Sequence, residues 1–112
     1  MVKYIYIAGP VTGQDYEGAR VAFNDAAYAI RRKHGAAVVV VNPMEFIGRG
    51  EDWDYAMRKC IERMMVCSHI HLLPGWEQSR GANLEQHIAE ALGFGICDSD
   101  YNIHEPLTPP EP

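Results

Sequence analysis

The chain has 112 residues, 47% hydrophobic and 22% charged, with a formal net charge of -5. At this length one compact domain is the expectation, and the acidic balance excludes a protein that grips a nucleic-acid polymer by its phosphates, though not one that binds single nucleotides. Three cysteines, Cys60, Cys67 and Cys97, with no CxxC spacing exclude a disulfide framework or a zinc ribbon. The start, Met1-Val2-Lys3-Tyr4-Ile5, carries no signal-peptide pattern, and no apolar run approaches the length of a membrane span, so the expected setting is a reduced cytoplasm.

Taken in chain order, residues 3–8 are β-branched and aromatic and end at Gly9-Pro10, a first strand with its loop. Residues 16–34 place Ala19, Ala22, Phe23, Ala26, Ala27 and Ile30 on one helical face, and Gly35 closes that helix. Residues 36–41 are an unbroken apolar run of the kind that suits a parallel strand covered on both faces. A second helix is expected over 52–67, with Trp53, Met57, Cys60, Ile61, Met64 and Met65 as its buried stripe. A strand over 69–73, a helix over 80–93 and a short strand near 94–97 follow. From Ser99 the chain holds four prolines and reads as an extended tail, which sets a domain over 1–98 and a proline-rich tail over 99–112.

Strands alternating with helices predict an open parallel sheet with right-handed crossovers. Ligands of such sheets bind beyond the carboxyl ends of the strands. Three loops meet there: Gly9–Gln14, Asn42–Gly50 and Pro74–Gly81. In the first, Gly9 and Gly13 permit close backbone approach and Thr12 adds a hydroxyl. It is neither a Walker loop nor a dinucleotide fingerprint. In the third, Ser79 is placed to cap a helix, with the amides near Gly81 facing the same rim.

Glu85 follows within that helix, beside an apolar stripe of Leu84, Ile88, Ala91 and Leu92, which places it at the buried edge. The positive helix end would keep it ionised, as a nucleophile or base requires. Spacing alone leaves a solvated helix glutamate as the readier reading. Trp76 is placed either to stack on a flat ring or to cap the core, and Tyr6 either to aim its hydroxyl at the rim or to pack. Cys67, His69 and His71 alternate as metal ligands can, yet a covered central strand makes core histidines the readier reading. Cys60, on the buried stripe, reads as a small core residue. No metal and no cofactor is expected.

Together these segments resemble the nucleoside 2-deoxyribosyltransferase-like superfamily, and within it the small DUF4406-type branch found in phages and bacteria. The resemblance rests on Tyr4-Ile5-Tyr6-Ile7-Ala8-Gly9-Pro10-Val11-Thr12-Gly13, Ala22-Phe23-Asn24, Asn42-Pro43, Met57-Arg58, Leu72-Leu73-Pro74-Gly75-Trp76-Glu77 and Ser79-Arg80-Gly81-Ala82-Asn83-Leu84-Glu85. It covers nearly all of residues 1–98. It implies an α/β, flavodoxin- or Rossmann-like three-layer fold with strand order 2-1-3-4, often extended by a fifth strand. It also implies cleavage or transfer at the N-glycosidic bond of a nucleoside or nucleoside 5'-monophosphate, by a retaining mechanism with a glycosyl-enzyme ester.

By that resemblance Glu85 is the nucleophile and Tyr6 orients it. Gly9, Pro10, Thr12 and Gly13 contact sugar or phosphate, and Ser79 and Gly81 form the phosphate-side turn, which slightly favours a monophosphate. A homo-oligomer, a dimer or larger, is implied as well. The chain departs from the branch at Met57-Arg58-Lys59-Cys60-Ile61, where Cys60 stands in place of a helix-two aspartate. A general acid contributes roughly 10²–10⁴-fold, so a weakened or inactive nucleotide-binding sensor of the same fold is the alternative. Asp52, Asp54, His69 or a residue from a neighbouring subunit are the candidates for replacing the lost carboxyl group.

Overall fold

A computed structural model describes residues 1–106. Five strands form one sheet: β1 (Lys3–Ala8), β2 (Val38–Val41), β3 (His69–Leu72), β4 (Gly95–Cys97) and β5 (Ile103–His104). Their order is β2-β1-β3-β4-β5. The first four are mutually parallel, and β5 runs antiparallel to β4. Three helices connect them: α1 (Tyr16–His34), α2 (Trp53–Met64) and α3 (Arg80–Ala91). This is the three-layer α/β fold expected, with the order 2-1-3-4 extended by a fifth strand. That strand lies inside the stretch after Ser99 that sequence alone assigned to a tail; residues 107–112 of that tail lie outside the described residues.

Period-two alternation along β1 sends its side chains to two cores. Ile5 and Ile7 pack with Ala19, Phe23, Ala26, Ala27 and Ile30 of α1. Tyr6 and Ala8 face the other way, toward Cys60 and Met64 of α2 and Ala82 and Ala89 of α3. Each long helix is capped by the residue its sequence offers. Asp15 accepts from the Gly18 amide, Asp52 from Tyr55 and Ser79 from Ala82.

Two faces differ from the sequence expectation. β2 is an edge strand whose Val39 is exposed, so its apolar run is covered on one face only. On α3 the buried residues are Ala82, Glu85 and Ala89, while Leu84 and Leu92 are exposed. The small alanines let the helix approach the sheet closely, so the packing face is not the one carrying the largest apolar side chains. Glu85 therefore sits at the centre of the buried face, not at its edge.

Candidate active site

Beyond the carboxyl end of β1 a cavity of about 660 Å³ opens between the loops after β1, β2 and β3. That volume is typical of a small-molecule site. All three loops singled out from the sequence reach it: Gly9, Thr12 and Gly13 from the first, Ile47, Gly48 and Gly50 from the second, Ser79 and Gly81 from the third. The second loop is tied to the start of α1 by two contacts. The Tyr16 hydroxyl donates to the Ile47 carbonyl at 2.8 Å, and Arg49 pairs with Glu17 at 2.9 Å while lying over the Tyr16 ring.

Glu85 and Tyr6 meet in the wall of this cavity. Glu85 is 5% exposed and Tyr6 is fully buried, and the Tyr6 hydroxyl donates a hydrogen bond to Glu85 Oε2. Burial pushes the Glu85 carboxyl up to about 7, against the opposing pull of that hydrogen bond. Burial, reinforced by the neighbouring Glu85, raises the Tyr6 phenol well above its ordinary value, so it serves as a donor. The expectation that the helix end would hold Glu85 ionised is thereby corrected. Glu85 lies in the second turn of α3, where the helix field has faded and desolvation dominates.

Cys60 of α2 lines the same wall next to Tyr6. Burial pushes its thiol up to about 12, so it stays neutral and is a poor proton donor. The three residues considered as substitutes for the missing aspartate lie elsewhere. Asp52 is engaged as the α2 cap, Asp54 does not line the cavity, and His69 lies on the α1 side of the sheet, bonded to Ser68 and Glu105. The second carboxylate of the cavity is Glu51, which sequence reading passed over. Lys59 pairs with it at 2.5 Å and the Gly48 amide donates to it at 3.0 Å, both of which hold its carboxyl below the usual range.

Two further predicted contacts fall outside the cavity lining. Trp76 does not line this cavity; it packs against the core that holds Tyr6, Ala82 and Ala89 and borders a separate cavity. Pro10 packs toward Gly75 instead of lining the cavity. The tryptophan that lines the cavity is Trp53, with the Arg80 guanidinium stacked 3.8 Å above its ring. Both were visible as residues opening α2 and α3 at the ligand rim, a signal outweighed by Trp53's match to the buried stripe. A Cβ on Gly81 would stand 2.9 Å from Met57 Sδ, a flexible side-chain end that can move aside. Cys67, His69 and His71 do not converge. The Cys67 thiol points to the Arg63 carbonyl, and among the described residues no group of three His, Cys, Asp or Glu side chains is placed to hold a metal ion.

The family model described as "Domain of unknown function (DUF4406)" matches residues 3–98. Among solved structures, a 2-desoxiribosyltransferase from Leishmania mexicana is similar, with 28% sequence identity and a TM-score of 0.59. The match covers 86% of this chain and 63% of that one, so the chain spans less than two thirds of that relative. No curated protein sequence matches. Among the described residues no helix is long and apolar enough to cross a membrane.

Proposed function

The chain belongs to the DUF4406 family, and we propose that it cleaves or transfers the N-glycosidic bond of a nucleoside or nucleoside 5'-monophosphate. The observation that carries this reading is the buried Tyr6–Glu85 pair in the wall of a nucleoside-sized cavity. The likeness to a 2-desoxiribosyltransferase supports it.

In the ionised state Glu85 attacks the anomeric carbon as the bond to the base breaks, and the bonding electrons leave with the base. The Tyr6 hydrogen bond orients the attacking carboxylate. Water or an acceptor base then attacks the same carbon, releasing the sugar and restoring Glu85. Burial lowers the competition from bulk water for the carboxylate and leaves it a stronger nucleophile. Glu51, held ionised by Lys59, is suited to accept hydrogen bonds from the substrate, not to protonate the leaving base. Ser79, Arg80 and Gly81 at the start of α3 suit a 5'-phosphate at the cavity mouth. A homo-oligomer belongs to the same proposal and is read by light scattering.

A nucleotide-binding protein with weakened or no catalysis is the second reading. It is favoured by Cys60, whose thiol next to Tyr6 and Glu85 is held neutral and cannot supply a proton readily. Incubation with a panel of deoxynucleosides and their monophosphates, followed by chromatography for free base, separates the two. Base release that is lost in Glu85→Ala supports the enzyme. Ligand binding with no base release from any substrate supports the binding protein. Equal activity in Glu85→Ala rejects Glu85 as the nucleophile.

A further inference from the structure

On the α1 face of the sheet, across from Glu85, a second cavity of about 440 Å³ lies between α1, the carboxyl end of β3 and the turn joining β4 to β5. The register pairs Ile7 with His71, so His71 points to the α1 side and Tyr6 to the other. His71, Asp25, Glu77, Ser99 and Tyr101 are the members that matter chemically.

His71 is 3% exposed. Its Nδ1 lies 2.9 Å from the Cys97 carbonyl. A carbonyl only accepts, so Nδ1 carries the hydrogen and Nε2 presents a lone pair. Nε2 makes no hydrogen bond to any described residue. Yet among the described residues no occluded side-chain nitrogen or oxygen lacks a partner, so Nε2 must reach open space. The open space that His71 borders is this cavity. Desolvation lowers the pKa of the imidazole, outweighing the Cys97 carbonyl and Asp98, which keeps Nε2 an acceptor at neutral pH.

The other polar groups have the same sense. Asp25 and Glu77 line the cavity, and among the described residues neither carboxylate is ion-paired. No lysine or arginine lines it. The aromatic wall is Tyr101, whose ring packs on His71 with centroids 5.3 Å apart. Tyr101 is held there in the left-handed region, at φ 65°, by its amide bond to Asp98 and by His34 on its carbonyl. A cavity with two carboxylates, a buried lone pair and an aromatic wall is complementary to a donor that carries positive charge.

We propose that this cavity binds a small organic cation, an ammonium or guanidinium group neutralised by Asp25 and Glu77 that donates one N–H to His71 Nε2. Tyr101 covers its apolar part. The set of acceptors has no place for an anion, which distinguishes this site from the cavity that Arg80 borders.

Agmatine is the probe, titrated into protein carrying 15N-labelled histidine while the His71 ring nitrogens are followed by NMR. The expected result is a saturable shift of Nε2 that 1-butanol, with the alkyl chain but no charge, does not produce. The double variant Asp25→Asn, Glu77→Gln changes two exposed side chains, and it should bind agmatine at least about tenfold more weakly. Glu85→Ala should bind it as the unaltered protein does, which separates this site from the glycosidic-bond reading. No saturable shift, an equal response to 1-butanol, or unchanged affinity in the double variant would overturn the proposal.

Discussion

The hydroxyl of Tyr6 on β1 donates to the carboxylate of Glu85 on α3, joining residues 79 positions apart inside the buried layer between sheet and helices. The Cys60 thiol lies beside the same Tyr6 hydroxyl, within the same buried layer. The pair couples the protonation of Glu85 to the packing of the core, and its consequences are measurable.

Glu85→Gln should abolish base release, by roughly 10³-fold or more, because an amide is no nucleophile at an anomeric carbon. The same change should stabilise the protein at pH 8. The folded-state pKa of about 7 lies above the ordinary carboxyl value of 4.5, so the folded chain holds the proton more tightly than the unfolded chain. Stability therefore falls as pH rises through that window, by up to about 3 kcal/mol. Urea melts at pH 5 and pH 8 check this: the variant should gain at pH 8 and change little near pH 5.

The pH dependence of catalysis follows from the same carboxyl. The nucleophile must be ionised, so kcat/KM for base release should climb with pH and level off above about 7. A profile already flat from pH 5 upward would show that Glu85 ionisation does not govern the reaction.

Tyr6→Phe removes the donor and leaves Glu85 facing burial alone. The carboxyl pKa should rise further, and the rising limb of the pH profile should move to higher pH. An unsatisfied buried charge costs roughly 1.5–3 kcal/mol, a loss of about ten- to a hundredfold at neutral pH. Recovery of much of that loss at alkaline pH would mark Tyr6 as a positioning residue; a uniform loss at every pH would not.

Arg80→Ala tests the phosphate assignment at the cavity mouth. KM for a nucleoside 5'-monophosphate should rise about tenfold, while KM for the matching nucleoside stays nearly constant. Equal effects on both would place Arg80's role in shaping Trp53, over which it stacks, instead of in reading a phosphate.

Packing at the sheet edge makes a further prediction. A Cβ on Gly95 would stand 2.5 Å from the His104 carbonyl and 2.5 Å from the His69 ring, whereas one on Gly48 would meet nothing within 4 Å. Gly95→Ala should cost about 1–3 kcal/mol and loosen β5, and Gly48→Ala should be close to neutral. Thermal melts of the two variants decide it.

Much of the architecture was legible along the chain. The 3.6-residue period and Gly35 marked α1 over Tyr16–His34 as it is observed, and Ser79 caps α3 as its position indicated. β5 was missed because a two-residue strand has no period to read, and the prolines around it argued for a tail. The face of α3 was misjudged because hydrophobicity ranks leucine above alanine, whereas close packing on the sheet selected Ala82 and Ala89.

The sequence by itself determined the order of the first four strands and the three helices and the three loops at one rim, because these rest on local periodicity and turn residues, and its family resemblance singled out Glu85 and Tyr6. Only the tertiary structure decided that Glu85 is buried against Tyr6 and neutralised in part by desolvation, that Trp53 and not Trp76 borders the cavity, and that Glu51 is its second carboxylate. Those facts depend on which helix face meets the sheet and how far each loop folds back, both set by contacts between residues distant in the chain.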